Sequence, residues 1–556
     1  MKYRIRLLAA LAAMALIAAA CGDTADEVED AAPATTATTA APTDTAPATT
    51  AAPEAPATTQ ADDSAPDTTA APAEPAEPAG TLVVTETFGP NAGWGIETDD
   101  ALLFTNYGIA EPLVVVDFDG NLVPGLATSW ERRSELEWAF EIRSGVTFHD
   151  GSDLTATAVA DALNYLLDSP TPPRGLSRSI VATVAVEGDS TVVMTTNGPD
   201  AVLPQRLVSG NSAILSPSAY LPDRTIDPFA GGTGPFLLVD IVPDQLIRLE
   251  ANPNYWGEAP KLAGFEVFFV PDGQVRSGML RSGEAQIIAQ VPITDLPLLE
   301  GDPNLVVLKT PLPRTTSVYL NNIAGPTTNQ TVREAINYAI DRELIAAAVL
   351  EGSDDPAIGP FPFWEEWADP TIRAFPYEPD TARALLAEAG YGDDNPLRLR
   401  LWTYIERPQL SDIAVAMQAM LRDVGISTEL TITEYGPLEG SVLAGDFDLF
   451  ILSRSHLLDV YDPIGFLEAD YGCEGGYNLS HFCDAEFDAA LTAARGMDTA
   501  ERYAVYGELS GVLQDRAITG FLTHQIAIDA HSSNVVGYRT HPMGHYVITT
   551  DVAVTG

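Results

Sequence analysis

The chain has 556 residues, of which 78 are Asp or Glu and only 29 are Lys or Arg, so its formal net charge is −49. Lysine occurs only at Lys2, Lys261 and Lys309. A chain this acidic lacks the clustered cations that bind phosphate groups, which argues against nucleic acid as a partner. Its length allows a leader followed by two or three folded domains.

The N-terminus has the parts of a secretory signal peptide. A positively charged start precedes an apolar run over residues 7–20, which is shorter than the ~20 residues that cross a bilayer. Cys21 follows three alanines, and this segment resembles a bacterial lipobox, in which the cysteine is lipidated and becomes the mature N-terminus. We therefore expect a signal peptide over residues 1–20 and a lipid anchor on Cys21. The alternative is ordinary cleavage after Ala20, which leaves a free thiol.

Residues 21–80 have the composition of a linker. Ala, Thr, Pro, Asp and Glu dominate this segment, and large apolar side chains are almost absent. Such a segment cannot bury enough surface to offset the conformational entropy of the chain, so we expect it to be disordered. Its prolines favour an extended spacer between the membrane and the folded domains. The predicted location of those domains is extracytoplasmic, at the outer face of the cell membrane or in the periplasmic space.

Three helices are indicated in the folded part. An apolar stripe at helical spacing predicts a helix over residues 155–167. A capping box formed by Thr331 and Glu334 predicts the start of a second helix. A third helix follows Asp380 and ends at Gly390.

A β-α-β-α-β unit is predicted further along the chain. Its strands are residues 397–404, 428–433 and 447–452, and its helices are residues 411–423 and 438–443. Crossovers of this kind make parallel strands, and ligands bind beyond the carboxyl ends of such strands. Arg407 follows the first strand and Asp459 follows the last. We therefore expect these opposite charges to line one edge of the same lobe.

Cys473 and Cys483 are the two cysteines outside the leader. In an extracytoplasmic chain, two nearby cysteines that flank a glycine-bearing loop favour a disulfide. Two free thiols are the alternative. Because there is no Cys-x-x-Cys motif, a zinc knuckle is not expected.

Common catalytic motifs are missing from the sequence. It has no G-x-S-x-G, no H-E-x-x-H and no S-x-x-K, and no lysine follows a glycine. These absences do not favour catalysis, and we expect no catalytic residues, no cofactor and no metal site. A secreted hydrolase or an adhesin stays open as an alternative to the function inferred below.

Short segments of a known pattern occur in order along the folded part. They are Glu-Pro-Leu at 111–113, Leu-Val-Pro-Gly-Leu-Ala-Thr-Ser-Trp at 122–130, Ile-Arg-Ser-Gly-Val-Thr-Phe-His-Asp-Gly at 142–151, Gly-Thr-Gly-Pro-Phe at 232–236, Asn-Pro-Asn-Tyr-Trp-Gly at 252–257 and Val-Arg-Glu-Ala-Ile-Asn-Tyr-Ala-Ile-Asp-Arg at 332–342. Together they resemble the large solute-binding proteins of ABC importers for peptides and nickel, known as family 5.

The resemblance implies an α/β, two-lobed periplasmic-binding-protein-like fold of type II, in the large peptide-binding cluster. Lobe one would contain residues 81–305, including an inserted subdomain. Lobe two would contain residues 306–519, and residues 520–556 would return to lobe one. Ligand is held in the cleft between such lobes, which close by a hinge motion.

The dipeptide-binding branch is the most similar part of the family. Residues 401–408 resemble a segment whose arginine, next to a proline, holds the peptide carboxylate, which assigns that role to Arg407. Residues 459–463 resemble a segment whose aspartate holds the peptide ammonium, which assigns that role to Asp459. Two charge-assisted contacts in a closed cleft would fix both ends of a zwitterion.

The remaining predicted ligand contacts are Tyr404, Tyr435, His456 and Trp94. The aromatic side chains are candidate cleft walls, with packing in the core as the alternative. His456 lies near Tyr-Asp-Pro at residues 461–463, which also resembles the nickel-binding branch. A nickel–chelate complex is therefore the second candidate ligand after short peptides.

The expected partners follow from this resemblance. The protein would hand its ligand to ABC permease and ATPase subunits, and it would contact the membrane through its lipid anchor. A monomer is expected.

Overall fold

The computed structural model of the protein describes residues 79–555. The predicted signal peptide, the lipidation site at Cys21 and the linker up to residue 78 lie outside the described residues. Within residues 79–555, we find no helix that combines the length and the apolar character needed to cross a bilayer.

Strands and helices are distributed along the whole described chain. The strands are β1 (Thr81–Glu86), β2 (Val114–Val116), β3 (Leu122–Pro124), β4 (Ala127–Arg132), β5 (Glu137–Ile142), β6 (Val181–Glu187), β7 (Thr191–Thr196), β8 (Phe236–Val242), β9 (Leu246–Ala251), β10 (Gly264–Phe269), β11 (Ile287–Ile288), β12 (Leu305–Leu320), β13 (Asp355–Pro356), β14 (Leu397–Tyr404), β15 (Ile426–Thr433), β16 (Leu449–Ser455), β17 (Thr519–Ser532), β18 (Val535–Val536) and β19 (Ala553–Val554). The helices are α1 (Ala101–Asn106), α2 (Ala156–Leu167), α3 (Leu203–Arg206), α4 (Gly273–Ser282), α5 (Leu296–Glu300), α6 (Gln330–Tyr338), α7 (Arg342–Leu344), α8 (Pro379–Glu388), α9 (Pro408–Asp423), α10 (Tyr435–Leu443), α11 (Ile464–Tyr471), α12 (Ala485–Ala494) and α13 (Thr499–Asp515).

One sheet of 11 strands runs through the molecule in the order β15-β14-β16-β12-β17-β11-β1-β10-β9-β8, with β13 paired to β17. The long strands β12 and β17 pair antiparallel at its centre. They connect β15, β14 and β16 on one side with the five strands from β11 to β8 on the other. Their pairing is irregular between Pro311 and Thr315, where proline has no N–H to donate to the ladder.

Two apolar cores correspond to the two sides of this sheet. Most of the first core comes from residues between 82 and 287, together with residues between 535 and 552. Residues between 318 and 452 supply most of the second. A separate four-stranded antiparallel sheet, β4-β5-β7-β6, forms the inserted subdomain. The predicted two-lobed α/β fold is therefore confirmed, while the lobe boundaries at 305/306 and 519/520, which fall at the starts of β12 and β17, stay a prediction.

The predicted β-α-β-α-β unit is confirmed as β14-α9-β15-α10-β16. Strand β14 pairs in parallel with both β15 and β16. Helices α9 and α10 each begin three residues before their predicted starts, and β16 extends to Ser455 rather than ending at Leu452. All residues of β16 are buried, because helices or neighbouring segments cover both faces of a parallel sheet.

Two helix starts differ from the prediction. Helix α6 is capped by Asn329, whose side chain accepts a hydrogen bond from the backbone N–H of Thr331. The Thr331–Glu334 capping box is therefore wrong, because a stronger N-cap residue lies two positions earlier. Helix α8 begins with Pro379 at its first position, so Asp380 lies inside the first turn. The predicted helix over residues 155–167 is confirmed as α2, with Thr155 as its N-cap.

Cys473 and Cys483 form a disulfide with an S–S distance of 2.07 Å, as predicted. The enclosed loop is fixed further by Asn478, whose side-chain amide donates to the carbonyl oxygens of Gly472 and Phe482. The loop also carries Tyr477, which is buried.

Removing this disulfide should reduce stability. We expect the Cys473→Ser/Cys483→Ser double variant to lose about 2–3 kcal/mol of unfolding free energy, because the unfolded chain is no longer constrained by a closed loop of about ten residues. Urea unfolding of both proteins measures the difference. A reducing agent should lower the stability of the wild type by a similar amount and leave the variant unchanged. If the reducing agent lowered the stability of both proteins equally, the disulfide would not be the source of this stabilisation.

Candidate functional site

Arg407 and Asp459 lie beyond the carboxyl ends of two paired parallel strands. Arg407 follows β14 and is the N-cap residue of α9, and Asp459 lies in the loop after β16. Strand β12 runs antiparallel to β16, with Arg314 opposite Ser455 at the end of β16. The topology therefore brings Arg314, which the sequence analysis did not single out, to the same edge of the sheet.

Asp459 is held by two arginines. Arg174 donates from Nε to Oδ2 at 3.0 Å and from Nη2 to Oδ1 at 3.2 Å, and Arg454 donates from Nη2 to Oδ2 at 2.8 Å. Burial by itself would raise the pKa of Asp459, but the charges and hydrogen bonds of Arg454 and Arg174 outweigh it and hold this pKa well below its usual value. Asp459 is therefore ionised at neutral pH.

Arg454 also binds a second carboxylate, that of Asp470 on α11. Its Nε lies 3.1 and 3.2 Å from the two oxygens of Asp470, and its Nη2 lies 3.1 Å from Oδ2. Asp470 is completely buried, and this burial raises its pKa although the charge of Arg454 opposes the shift. The aromatic ring of Tyr477 lies 5.0 Å from the guanidinium of Arg454 and 5.3 Å from that of Arg174, which suits a cation–π contact.

Arg314 and Arg407 have no such counter-ions. Among the described residues, no carboxylate oxygen lies within 4 Å of either guanidinium. Arg314 donates one hydrogen bond, from Nη1 to the carbonyl oxygen of Ser453 at 3.0 Å. Burial, together with the positive charges of Arg407 and Arg454, lowers the pKa of Arg314 to about 9. Both side chains are half-buried, so this edge of the sheet presents two incompletely bonded cations.

Two of the predicted aromatic contacts adjoin these charges. Tyr404 and Tyr435 pack edge to face, with ring centroids 5.2 Å apart. The hydroxyl group of Tyr435 contacts the hydroxyl group of Tyr477 and donates to Glu439. The three tyrosines thus form a row from the end of β14 to the disulfide loop.

His456 lies just after β16 in a largely apolar environment. Its ring packs against Phe361 at a centroid distance of 5.0 Å, and its Nε2 lies 3.8 Å from a carboxylate oxygen of Glu365. Burial lowers the pKa of His456 despite this carboxylate, so the ring is neutral at neutral pH. Neither ring nitrogen forms a hydrogen bond with the described residues.

Trp94 is buried in the first apolar core. It is only 7% exposed and packs against Phe104 in the first apolar core, with ring centroids 5.5 Å apart. Contacts to Arg407, Asp459 or the three tyrosines are not found for it among the described residues. Its assignment as a cleft wall stays a prediction, and its observed contact is with the core.

The sequence analysis missed Arg174, Arg314 and Arg454. Arg454 gave no signal because the predicted strand ended at Leu452, whereas β16 extends to Ser455 and buries Arg454 within it. Arg314 and Arg174 gave no signal either, since each is an isolated arginine in a polar segment.

A narrow crevice adjoins Asp459, and its lining includes Gly175, Arg206 and Asn211. A larger open groove of about 630 Å³ lies elsewhere, between residues 366–370 and α13. Its lining carries the carboxylates of Glu366, Asp369 and Glu508, which would repel an anionic group. Within the described part of the chain, no three His, Cys, Asp or Glu side chains are placed to hold a metal ion.

Comparison with known proteins identifies the family. Residues 121–478 match the model of the bacterial extracellular solute-binding proteins, family 5, in its middle region. The chain belongs to this family. The predicted resemblance is thus confirmed, and the extracytoplasmic location follows at the level of the family.

Curated relatives cover most of the chain. Di/tripeptide-binding protein 2 of Pseudomonas aeruginosa is 30% identical over 454 residues, which are 76% of this chain and 85% of that protein. Heme-binding protein A of Haemophilus influenzae is 28% identical over 457 residues, which are 76% of this chain and 83% of that protein. Both are named as binding proteins, which supports binding rather than catalysis as the role of this family 5 chain.

Solved structures share the fold. NikA from Staphylococcus aureus in complex with Ni(L-His)2 has a TM-score of 0.76 at 24% identity and covers 85% of this chain and 100% of its own. DppA from Helicobacter pylori in complex with the peptide STSA has a TM-score of 0.76 at 24% identity and covers 85% of this chain and 98% of its own. At this level of identity, the likeness concerns the architecture of the family.

The ion pairs of Asp459 predict how stability depends on pH. We expect Asp459→Asn to lose about 2 kcal/mol at pH 7, because charge-assisted hydrogen bonds to two arginines are weakened. The native pKa of Asp459 is depressed, so its contribution is complete above the unfolded-state pKa of about 4 and falls as the pH drops below that value. The difference in unfolding free energy between wild type and variant should therefore be constant from pH 7 to 5 and smaller at pH 3.

Asp99→Asn provides the matched control. The Asp99 carboxylate contacts the same arginine, Arg174, at 3.4 Å, but its side chain is 81% exposed. We expect its removal to cost less than about 0.5 kcal/mol. Two results would contradict this account of the site. One is a loss of unfolding free energy in the Asp99 variant that equals the loss in the Asp459 variant. The other is a difference between the wild type and the Asp459 variant that is the same at pH 3 as at pH 7.

Proposed function

We propose that the protein captures short peptides in the cleft between its lobes and delivers them to an ABC importer. The observation that carries the proposal is the cluster of opposite charges at one sheet edge, with Arg407 and Arg314 incompletely bonded and Asp459 nearby. A free peptide has one carboxylate and one ammonium group, which such a cluster can bind together. The names of the di/tripeptide-binding relatives support the same ligand class.

The peptide carboxylate is assigned to Arg407, with Arg314 beside it. A guanidinium presents five N–H donors in a planar fork that matches a carboxylate. Arg407 lies three residues after the end of β14 and is the N-cap residue of α9, so the start of this helix fixes its backbone while its side chain remains without an ionic partner. Tyr404 and Tyr435 would form the wall beside the ligand.

The peptide ammonium is assigned to Asp459, where it would replace Arg174. Of the two arginines that hold Asp459, Arg174 has a 29% exposed side chain, whereas Arg454 is 9% exposed and is bound to Asp470 as well. Arg174 can therefore withdraw more easily than Arg454. The crevice beside Asp459 has no room for a water-sized molecule, whereas typical ligand sites have ~300 Å³ or more, so binding requires this rearrangement or an opening of the lobes.

The proposed opening uses β12 and β17 as the hinge. These strands connect the two halves of the sheet, and the irregular pairing near Pro311 interrupts their ladder. Closure around a ligand would create the surface that the permease recognises. We further propose that lipidated Cys21 and the following linker hold the protein at the outer face of the membrane, and that it acts as a monomer.

Peptide binding can be tested by calorimetry with dipeptides and tripeptides and with their N-acetylated forms. We expect Asp459→Asn to weaken the binding of free-amino peptides by about 10- to 100-fold, as expected for one charge-assisted contact. N-acetylated peptides lack the ammonium group, so their affinity should change little.

The Asp99→Asn variant serves again as the control and should bind like the wild type. Equal losses for both peptide forms in the Asp459 variant would remove this residue from the ammonium site. Failure of all peptides to bind would overturn the proposal, and turnover of the peptides would favour a hydrolase instead.

A nickel–chelate complex is the second candidate ligand. It is favoured by His456, because both of its ring nitrogens lack a hydrogen-bond partner among the described residues and Glu365 lies close to it. Burial keeps this histidine neutral, which is the form that binds metal ions.

Metal analysis tests this alternative directly. If the nickel proposal holds, protein incubated with Ni²⁺ and free histidine should retain nickel after desalting, and His456→Gln should retain at least tenfold less. If the peptide proposal holds alone, neither protein retains nickel. Retention that is equal in both proteins would exclude His456 as the ligand.

A further inference from the structure

Several other buried arginines in this protein donate most of their possible hydrogen bonds. Arg276, Arg333 and Arg342 each donate four hydrogen bonds to backbone carbonyl oxygens. These guanidiniums are largely satisfied by the fold and serve a structural purpose. Arg314 donates only one such bond, and for Arg407 none is found among the described residues.

This deficit is unusual for a chain with so many carboxylates. Acidic residues outnumber basic ones by 78 to 29, so a nearby carboxylate is easily available to an arginine that needs one. Two neighbouring guanidiniums without one repel each other. Their unused N–H groups are not buried, so a ligand from outside the chain can supply the missing anionic groups.

Arg314 and Arg407 also lie outside the ion pairs of this sheet edge. Arg454 and Arg174 hold Asp459, and Arg454 also holds Asp470. Glu365, Glu406 and Glu439 carry negative charge near the cluster, but their contacts are with His456 and Tyr435. Among the described residues, none of these carboxylates lies within 4 Å of the Arg314 or Arg407 guanidinium.

A ligand with a single carboxylate would provide an ionic partner for only one of these two guanidiniums. A second carboxylate would provide a partner for the other, because Arg407 and Arg314 each offer a separate set of N–H donors. We propose that the cleft selects ligands with two carboxylates and a net negative charge, with Arg314 binding the second carboxylate. The inference rests on the proposed function, of which it specifies the ligand class as acidic short peptides.

Matched dipeptides test this inference on the wild-type protein. Ala-Glu, Ala-Gln and Ala-Lys have similar shapes and differ in net charge. We expect Ala-Glu to bind about 10- to 100-fold more tightly than Ala-Gln, with Ala-Lys weakest. Raising the salt concentration should reduce the advantage of Ala-Glu, since it depends on charge.

Arg314→Met should reduce the ratio of the Ala-Glu and Ala-Gln affinities to about one, because the affinity for Ala-Glu falls much more than the affinity for Ala-Gln. Arg398→Met is the matched control, because Arg398 is exposed on β14 and should leave the ratio unchanged. If the Arg314 variant does not fold, the wild-type affinities for the three dipeptides test the acidic preference by themselves.

The outcomes separate this inference from the proposed function. Equal wild-type affinities for Ala-Glu and Ala-Gln overturn the acidic preference and leave peptide binding intact. If glutarate binds as tightly as Ala-Glu while no neutral dipeptide binds, the preference for two carboxylates stands and the peptide assignment fails. If neither glutarate nor any dipeptide binds, both proposals are overturned.

Discussion

The guanidinium of Arg454 lies between two carboxylates, and the geometry of the site depends on it. On one side is Asp470, which is fully buried and requires a positive partner. On the other side is Asp459, which Arg454 holds together with Arg174. Because β16 fixes the backbone of Arg454 inside the sheet, the loop that carries Asp459 is held close to that sheet edge.

This chain of ion pairs also links the two halves of the molecule. Arg174 belongs to the part of the chain that builds the first core. Arg454 lies on β16, which contributes to the second core, and Asp470 lies on α11, whose apolar residues form a further cluster with α12 and α13. The contacts of Asp459 therefore join segments that belong to different cores. Under the proposed function, a ligand that competes for Asp459 would change these contacts as well as occupy the site.

Four arginines, Arg174, Arg314, Arg407 and Arg454, are gathered near one sheet edge of an otherwise acidic protein. The formal net charge of −49 concerns the whole chain, and salt screens its long-range effect beyond about 8 Å at physiological ionic strength. Within the proposed site, short distances and partial burial strengthen the effect of each nearby charge. The acidic composition of the whole chain therefore says little about the proposed ligand.

The sequence by itself determined the local elements and their order. Hydrophobic periodicity and turn residues predicted β14, α9, β15, α10 and β16, and parallel crossovers placed Arg407 and Asp459 at one edge. The disulfide followed from the spacing and context of its cysteines. Only the tertiary structure decided which arginines surround Asp459, since Arg174 is 285 positions away in the chain. It also placed Trp94 in the core and capped α6 with Asn329. Periodic patterns report on neighbours within a few residues, whereas the choice of ionic partners depends on segments that meet only after folding.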